Sequence, residues 1–91
     1  MMKRLLLALT AITLPSIASA QIAIQDDYAI QGKIFAVKTA KKYSSVEGCS
    51  KIALSKTKVE GFTFEPKSQK CTLYKKVRNI QPKEGFISGT K

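Results

Sequence analysis

The sequence predicts a small α+β domain in which a short helix packs on an antiparallel β-sheet and one disulfide joins the two. Apolar residues at helical spacing over 46–53 predict the helix. Alternating apolar and polar residues over 59–65 and 70–77 predict two strands of a hairpin. The two cysteines, Cys49 and Cys71, fall on the helix and on the second strand, where a bridge would hold these elements together.

The first twenty residues have the pattern of a secretory signal peptide. Two basic residues, a short apolar run and a proline are followed by Ala18-Ser19-Ala20. A membrane anchor needs about 20 apolar residues to cross a bilayer, roughly twice the length of this run. We therefore predict a signal peptide over 1–20, of a kind typical of bacteria, with cleavage between Ala20 and Gln21. The mature chain is expected in the periplasm or the medium, with no transmembrane segment after processing.

The mature chain is expected to begin with a flexible leader over 21–27. The β-forming residues of 28–37 then predict one or two strands, and Gly32 marks a bend or bulge. A basic connector over 38–43 leads to the helix.

The helix is expected to begin at Ser44. Ser44 and Glu47 have the spacing of a capping box, in which each side chain satisfies a backbone N–H of the first turn. The apolar stripe that follows places Cys49 on the buried face of the helix. The helix should end in the polar stretch 55–58.

The hairpin that follows is expected to turn at 66–69. Its second strand directs two sets of side chains to opposite faces: Cys71, Leu73 and Val77 on one, and Thr72, Tyr74 and Lys76 on the other. The face that carries Cys71 should meet the helix. A further turn at 81–85 and a short last strand at 86–89 complete the expected elements.

A disulfide between Cys49 and Cys71 is expected because a core of this size alone gives marginal stability and the exported compartment is oxidising. The bridge would close a loop of about 23 residues and contribute roughly 3 kcal/mol in the chain-entropy model. Two free thiols and an intermolecular bridge are the alternatives. The cysteines are too far apart in sequence for a Cys-x-x-Cys redox pair.

Four short motifs follow one another in the second half of the chain: Cys49 in the helix, Gly61-Phe62-Thr63-Phe64, Cys71-Thr72-Leu73 and Phe86-Ile87-Ser88-Gly89. In this order they resemble the PAN/apple family of small secreted modules. The resemblance covers 46–91 well and 28–37 loosely, and it implies a PAN/apple-like domain over 28–91.

The PAN/apple resemblance implies a helix cradled by a curved antiparallel sheet, with Cys49 paired to Cys71. A second cysteine pair of the family is absent, and Ala53 and Val59 stand in its place. The loss of both members leaves no orphan thiol, so the chain resembles a member reduced to one disulfide.

The composition excludes most catalytic and metal chemistry. With no histidine and only two cysteines, the chain lacks the residues for His-dependent nucleophiles, imidazole metal sites and four-thiolate zinc sites. Asp26 and Asp27 are adjacent, but a flexible leader gives no fixed geometry for acid–base catalysis. We therefore predict no enzyme activity, no catalytic or metal-binding residue and no cofactor.

Basic residues are in large excess, with 16 Lys and Arg against 6 Asp and Glu and a net charge of +10. Signal-peptide removal takes away two of the cations and leaves 71 residues with a charge of +8. Lysine dominates, whereas dedicated phosphate or carboxylate sites favour arginine. The charge therefore has two interpretations: a surface that serves solubility only, or a patch for an anionic partner.

The candidate basic binding surface lies on the second hairpin strand and just beyond it. It consists of Lys70, Tyr74, Lys75, Lys76 and Arg78. Tyr74, with Lys70 and Lys76 on the same face, has the surroundings of a residue that stacks on a sugar ring. The alternative is that Tyr74 covers a second apolar strip against Tyr28 or Tyr43.

PAN/apple modules are mostly binding modules for proteins or carbohydrates, so the predicted function is that of an exported, non-catalytic, monomeric binding module. Its basic surface would meet an anionic glycan, an envelope surface or a protein partner. A small exported inhibitor or effector is the alternative, using the loop at 55–58 or at 66–69. A membrane-active cationic protein is less favoured without a long basic amphipathic helix. Export disfavours nucleic acid as a partner.

Overall fold

Residues 22–91 are described by the structure, a computed structural model. Their elements are, in chain order, β1 (Ala23–Lys38), a 3-10 turn (Lys41–Tyr43), α1 (Val46–Ser55), β2 (Gly61–Glu65) and β3 (Lys70–Thr90). The predicted signal peptide and its cleavage position between Ala20 and Gln21 lie outside these residues.

The short strand β2 lies between two parts of the long strand β3. Phe62 of β2 is opposite Leu73 on one edge and opposite Gly89 on the other, and both pairings are antiparallel. The two ends of β3 therefore run in the same direction beside β2. Since a single chain connects them, the middle of β3 must cross one face of β2.

Strand β1 follows β3 along its outer edge, from Ala23 opposite Thr90 to Lys38 opposite Cys71. β1 and β3 thus form a two-stranded ribbon, and its middle part, the crossing ribbon (residues 28–33 and 76–82), passes over β2. The backbone N–H of Ile30 donates to Thr63 Oγ1 at 3.0 Å, which joins the crossing ribbon to the face of β2.

A buried chain of hydrogen bonds continues from Thr63. Its Oγ1 lies 2.9 Å from Ser88 Oγ, and Ser88 Oγ donates to the carbonyl oxygen of Tyr28 at 2.7 Å. Because the Ser88 proton is committed to Tyr28, the Thr63 hydroxyl donates to Ser88. Two buried hydroxyls thereby satisfy an N–H and a C=O of the crossing ribbon.

Helix α1 covers the opposite face of the sheet, where the hydrophobic core lies. The buried core residues come from the helix, the segment after it and the two central strands: Cys49, Ala53, Val59, Phe62, Phe64, Cys71 and Leu73. The hairpin register pairs Phe62 with Leu73 and Phe64 with Cys71, as the alternation in the sequence predicts. The predicted class, one helix packed on an antiparallel sheet, is confirmed.

The disulfide between Cys49 and Cys71 is also confirmed. Both cysteines are fully buried, and their Cα atoms are 5.6 Å apart. The bridge ties the first half of α1 to the start of β3 within the core.

The helix begins one residue later than predicted. Ser45 is the N-cap, and its side chain accepts a hydrogen bond from the backbone N–H of Gly48 at 2.9 Å. The predicted cap, Ser44, instead donates its hydroxyl to the carbonyl of Lys41 at 2.7 Å. Because that bond closes the preceding 3-10 turn, the next serine caps the helix. Its end at Ser55 is as predicted.

The prediction of a flexible leader over 21–27 is wrong for the described residues from Ala23 onward. Ala23 to Asp26 belong to β1 and pair with residues 87–90 of β3. Asp27 has a positive φ of 64°, and its Oδ1 accepts a hydrogen bond from the Gly85 N–H at 2.9 Å. The partners of this segment lie at the far end of the chain, so no local pattern indicates them.

The predicted separation of a turn at 81–85 and a last strand at 86–89 is also wrong. β3 runs on through both segments to Thr90, with an irregularity between Pro82 and Ile87, where Gly85 has a φ of 87°. The irregularity predicted at Gly32 is confirmed by a register shift there. A Cβ on Gly32 would overlap the carbonyl oxygen of Lys76, so the close approach of the two strands requires glycine.

Removal of the disulfide should lower the free energy of unfolding by about 3 kcal/mol, because the unfolded chain regains the freedom of a loop of roughly 23 residues. Denaturant unfolding of the oxidised protein, the reduced protein and the Cys49→Ser/Cys71→Ser variant measures this. Equal midpoints for the three samples would contradict the structural role of the bridge.

Replacement of Thr63 by valine should lower the free energy of unfolding by about 1–3 kcal/mol, since it leaves the buried Ile30 N–H without an acceptor and Ser88 without its donor. Thr72→Val is the matched control, because Thr72 pairs directly with Thr63 but is only half-buried. Equal effects of the two substitutions in denaturant unfolding would refute the role of the hydrogen-bond chain.

Candidate functional site

A concave cavity of about 330 Å³ lies on the face of the sheet opposite the helix. Its floor is formed by side chains of β2 and the start of β3, including Thr63, Thr72 and Tyr74, and the crossing ribbon contributes Ile30 and Gln81. The cavity exists because the ribbon spans this face without filling the space over it.

The cavity has an apolar wall and a charged rim. Ile34 and Val37 of β1 and Phe86 of β3 supply the apolar surface, while Lys70 and Lys83 supply two cations. The Lys83 Nζ lies 4.8 Å from the centroid of the Phe86 ring, within the range of a cation–π contact.

Tyr74 is a half-buried aromatic residue of the cavity floor. Burial raises the pKa of the Tyr74 hydroxyl above its ordinary value, and a hydrogen bond with the Thr63 side chain partly offsets this rise. The phenol is therefore held neutral, and its ring remains part of the cavity lining.

One carboxylate competes for the cations of the site. Glu65 Oε1 lies 4.0 Å from Lys70 Nζ, and both side chains line the cavity. The pair is solvent-accessible and long, so it holds Lys70 weakly and leaves it able to meet another anion.

The structure divides the candidate surface predicted from the sequence. Lys70 and Tyr74 line the cavity, whereas Lys75, Lys76 and Arg78 are exposed outside it. The cause is a bulge. Ile34 is opposite Tyr74 and Lys33 is opposite Lys76, so Lys75 is an extra residue that breaks the alternation of faces.

Two cavity residues, Lys83 and Phe86, were not among the predicted site residues. Both come from the irregular part of β3: Lys83 from the predicted turn at 81–85, and Phe86 from the start of the predicted last strand. The proline and glycine at 82 and 85 indicated that irregularity, but nothing local indicated that it would reach the cavity.

Neither Tyr28 nor Tyr43 lines the cavity, and Tyr43 packs instead against the core beside the helix.

Two features are absent from residues 22–91. No cluster of three or more His, Cys, Asp or Glu side chains is arranged to hold a metal ion in this part of the chain. No described helix has the length and apolar character needed to cross a membrane.

Comparison with family models and with curated proteins gave no match. Among solved structures, the chain is similar to the solution structure of a PAN module from Eimeria tenella. The two are 21% identical, with a TM-score of 0.44, and the match covers 84% of this chain and 85% of that one. This is the family that the sequence motifs resemble. A likeness at this level carries no conclusion about a ligand.

Alkaline titration should reveal one tyrosine that ionises above the ordinary tyrosine value of about 10. The pKa of Tyr74 is higher in the folded state than in the unfolded state, so the neutral phenol favours folding. This contribution to the free energy of unfolding is fully present below about pH 10 and is lost as the pH rises through the folded-state pKa. Ultraviolet absorbance of tyrosinate, followed in the wild type and in Tyr74→Phe, measures the step. Persistence of the late step in Tyr74→Phe would contradict the assignment.

Proposed function

We propose that the chain is an exported, non-catalytic binding module that holds an acidic saccharide in the cavity on the open face of its sheet. One observation carries this proposal: the Tyr74 ring forms part of a concave floor whose rim bears Lys70 and Lys83. Export itself rests on the predicted signal peptide.

The lining of the cavity suits a sugar ring that bears carboxylate, sulfate or phosphate groups. An aromatic ring and the apolar side chains of Ile34 and Val37 offer surface to the C–H face of a sugar. Hydroxyl and amide groups, such as those of Thr72 and Gln81, match sugar hydroxyls, and the two lysines match the anionic substituents. The volume is at the lower end of the range for small-ligand sites, which fits a short part of a polymer.

The overall charge supports an anionic partner. Residues 22–91 contain fourteen lysine and arginine residues and six acidic residues. Lys70–Glu65 is the one ion pair within 4.0 Å among them. Most cations of this part of the chain thus remain available for long-range attraction of a polyanion, which speeds encounter and weakens as salt is added.

Binding should be measured by titration of the folded protein with a uronic-acid or sulfated oligosaccharide at several salt concentrations. Lys70→Gln should weaken binding, and Tyr74→Leu should weaken it severalfold to about tenfold through loss of the aromatic surface. Glu65→Gln should strengthen binding, because it removes the carboxylate that competes for Lys70.

Lys67→Gln is the matched control for Lys70→Gln. Lys67 is an exposed lysine of the same hairpin and lies outside the cavity lining. Equal losses from the two variants would point to a diffuse charge effect and refute the cavity as the site. Binding that is insensitive to Tyr74→Leu would refute the stacking role, and absence of binding at low salt would refute the proposal as a whole.

A further inference from the structure

A second surface borders the cavity, shares Ile34 and Val37 with its lining, and adds Phe35, which lies outside it. Three large apolar residues near the C-terminal end of β1 are exposed: Ile34 at 53%, Phe35 at 39% and Val37 at 47%. Lys33 precedes them and Lys38 follows them. We call residues 33–38 the lysine-flanked edge.

The lysine-flanked edge displays its apolar side chains through an irregularity in the strand. Ile34 is opposite Tyr74 and Ala36 is opposite Leu73, so Phe35 has no partner on β3. A bulged residue of this kind is left unpaired in the ladder, and the Phe35 side chain is 39% exposed. Phe35 is absent from the cavity lining, so its exposed ring serves neither the core nor the cavity.

The chain segment that forms this edge carries charge of one sign. No acidic residue occurs between Asp27 and Glu47, while Lys33, Lys38, Lys41 and Lys42 all fall in that stretch. Glu65 lines the cavity together with Ile34 and Val37, but it is already paired with Lys70. The apolar side chains of this edge are thus bordered mainly by cations, which matches a partner that is apolar inside and anionic outside.

A second copy of the chain fits this edge poorly. Antiparallel pairing of two such edges would bring the lysines of one copy against those of the other, at a net repulsive cost. The adjacent register shifts at 33–34 and 34–36 also make the strand an irregular template for a further strand.

We propose that the lysine-flanked edge docks on an anionic lipid bilayer. Phe35 enters the interface between headgroups and acyl chains, and the lysines contact the lipid phosphates. Apolar burial and electrostatic attraction add in such interfacial binding, and neither requires a helix.

A tryptophan placed at Phe35 tests the inference directly, because the chain contains no other tryptophan. The emission of the folded Phe35→Trp protein is recorded with vesicles of phosphatidylcholine alone and of phosphatidylcholine mixed with phosphatidylglycerol. A blue shift and quenching by brominated lipid should appear with the mixed vesicles only. No shift with the mixed vesicles overturns the inference.

Ile24→Trp is the matched control. Ile24 is on the same strand and is 46% exposed, but it lies beside Asp26 and Asp27. Its tryptophan should show no comparable shift, and an equal shift would overturn the assignment of docking to the lysine-flanked edge.

Vesicle co-sedimentation separates insertion from simple charge attraction. Phe35→Ser should lower the partition coefficient on mixed vesicles about tenfold, and Lys38→Gln about fivefold. An unchanged partition coefficient for Phe35→Ser would overturn the insertion of Phe35. Because Phe35 does not line the cavity, its variants should bind oligosaccharide as the wild type does. Loss of vesicle binding and loss of oligosaccharide binding can therefore be observed independently of each other.

Discussion

The pairing of β2 with β3 along both of its edges is the constraint on which the rest of the structure depends. Because the two parts of β3 run in the same direction, the ribbon of β1 and β3 has to pass over one face of β2. That face carries Thr63, whose hydroxyl bonds to the ribbon, while Phe62 and Phe64 face the helix. The dry core and the open cavity are therefore two sides of the same five-residue strand.

The cavity and the lysine-flanked edge share an origin in breaks of strand regularity. An extra residue at Lys75 keeps Lys76 away from the cavity, and an extra residue at Phe35 exposes its ring at the sheet edge. Without these breaks, simple alternation would place Lys76 beside Tyr74. Bulges thus decide which side chains gather into a site and which remain dispersed in solvent.

What the sequence predicts correctly is local in the chain. The helix, the hairpin and the disulfide between Cys49 and Cys71 depend on residues within one continuous stretch, where periodicity and turn residues are informative. The strand at Ala23–Asp26 was missed because its partners follow more than sixty residues later. Lys83 and Phe86 are close to Tyr74 in sequence, but they were missed because only the path of the crossing ribbon brings them to the cavity.

The meeting of Ala23 with Thr90 sets an order of events during folding. The helix, the hairpin and their bridge can assemble from a nearly contiguous part of the chain, with a small loop-closure cost. Residues 28–38 of β1 pair with 71–82, but Ala23 to Asp26 have no partner until residues 87–90 of β3 are present. A nascent chain would therefore form its helix and hairpin early, while the first four residues of β1 stay unpaired until the end of β3 has been synthesised.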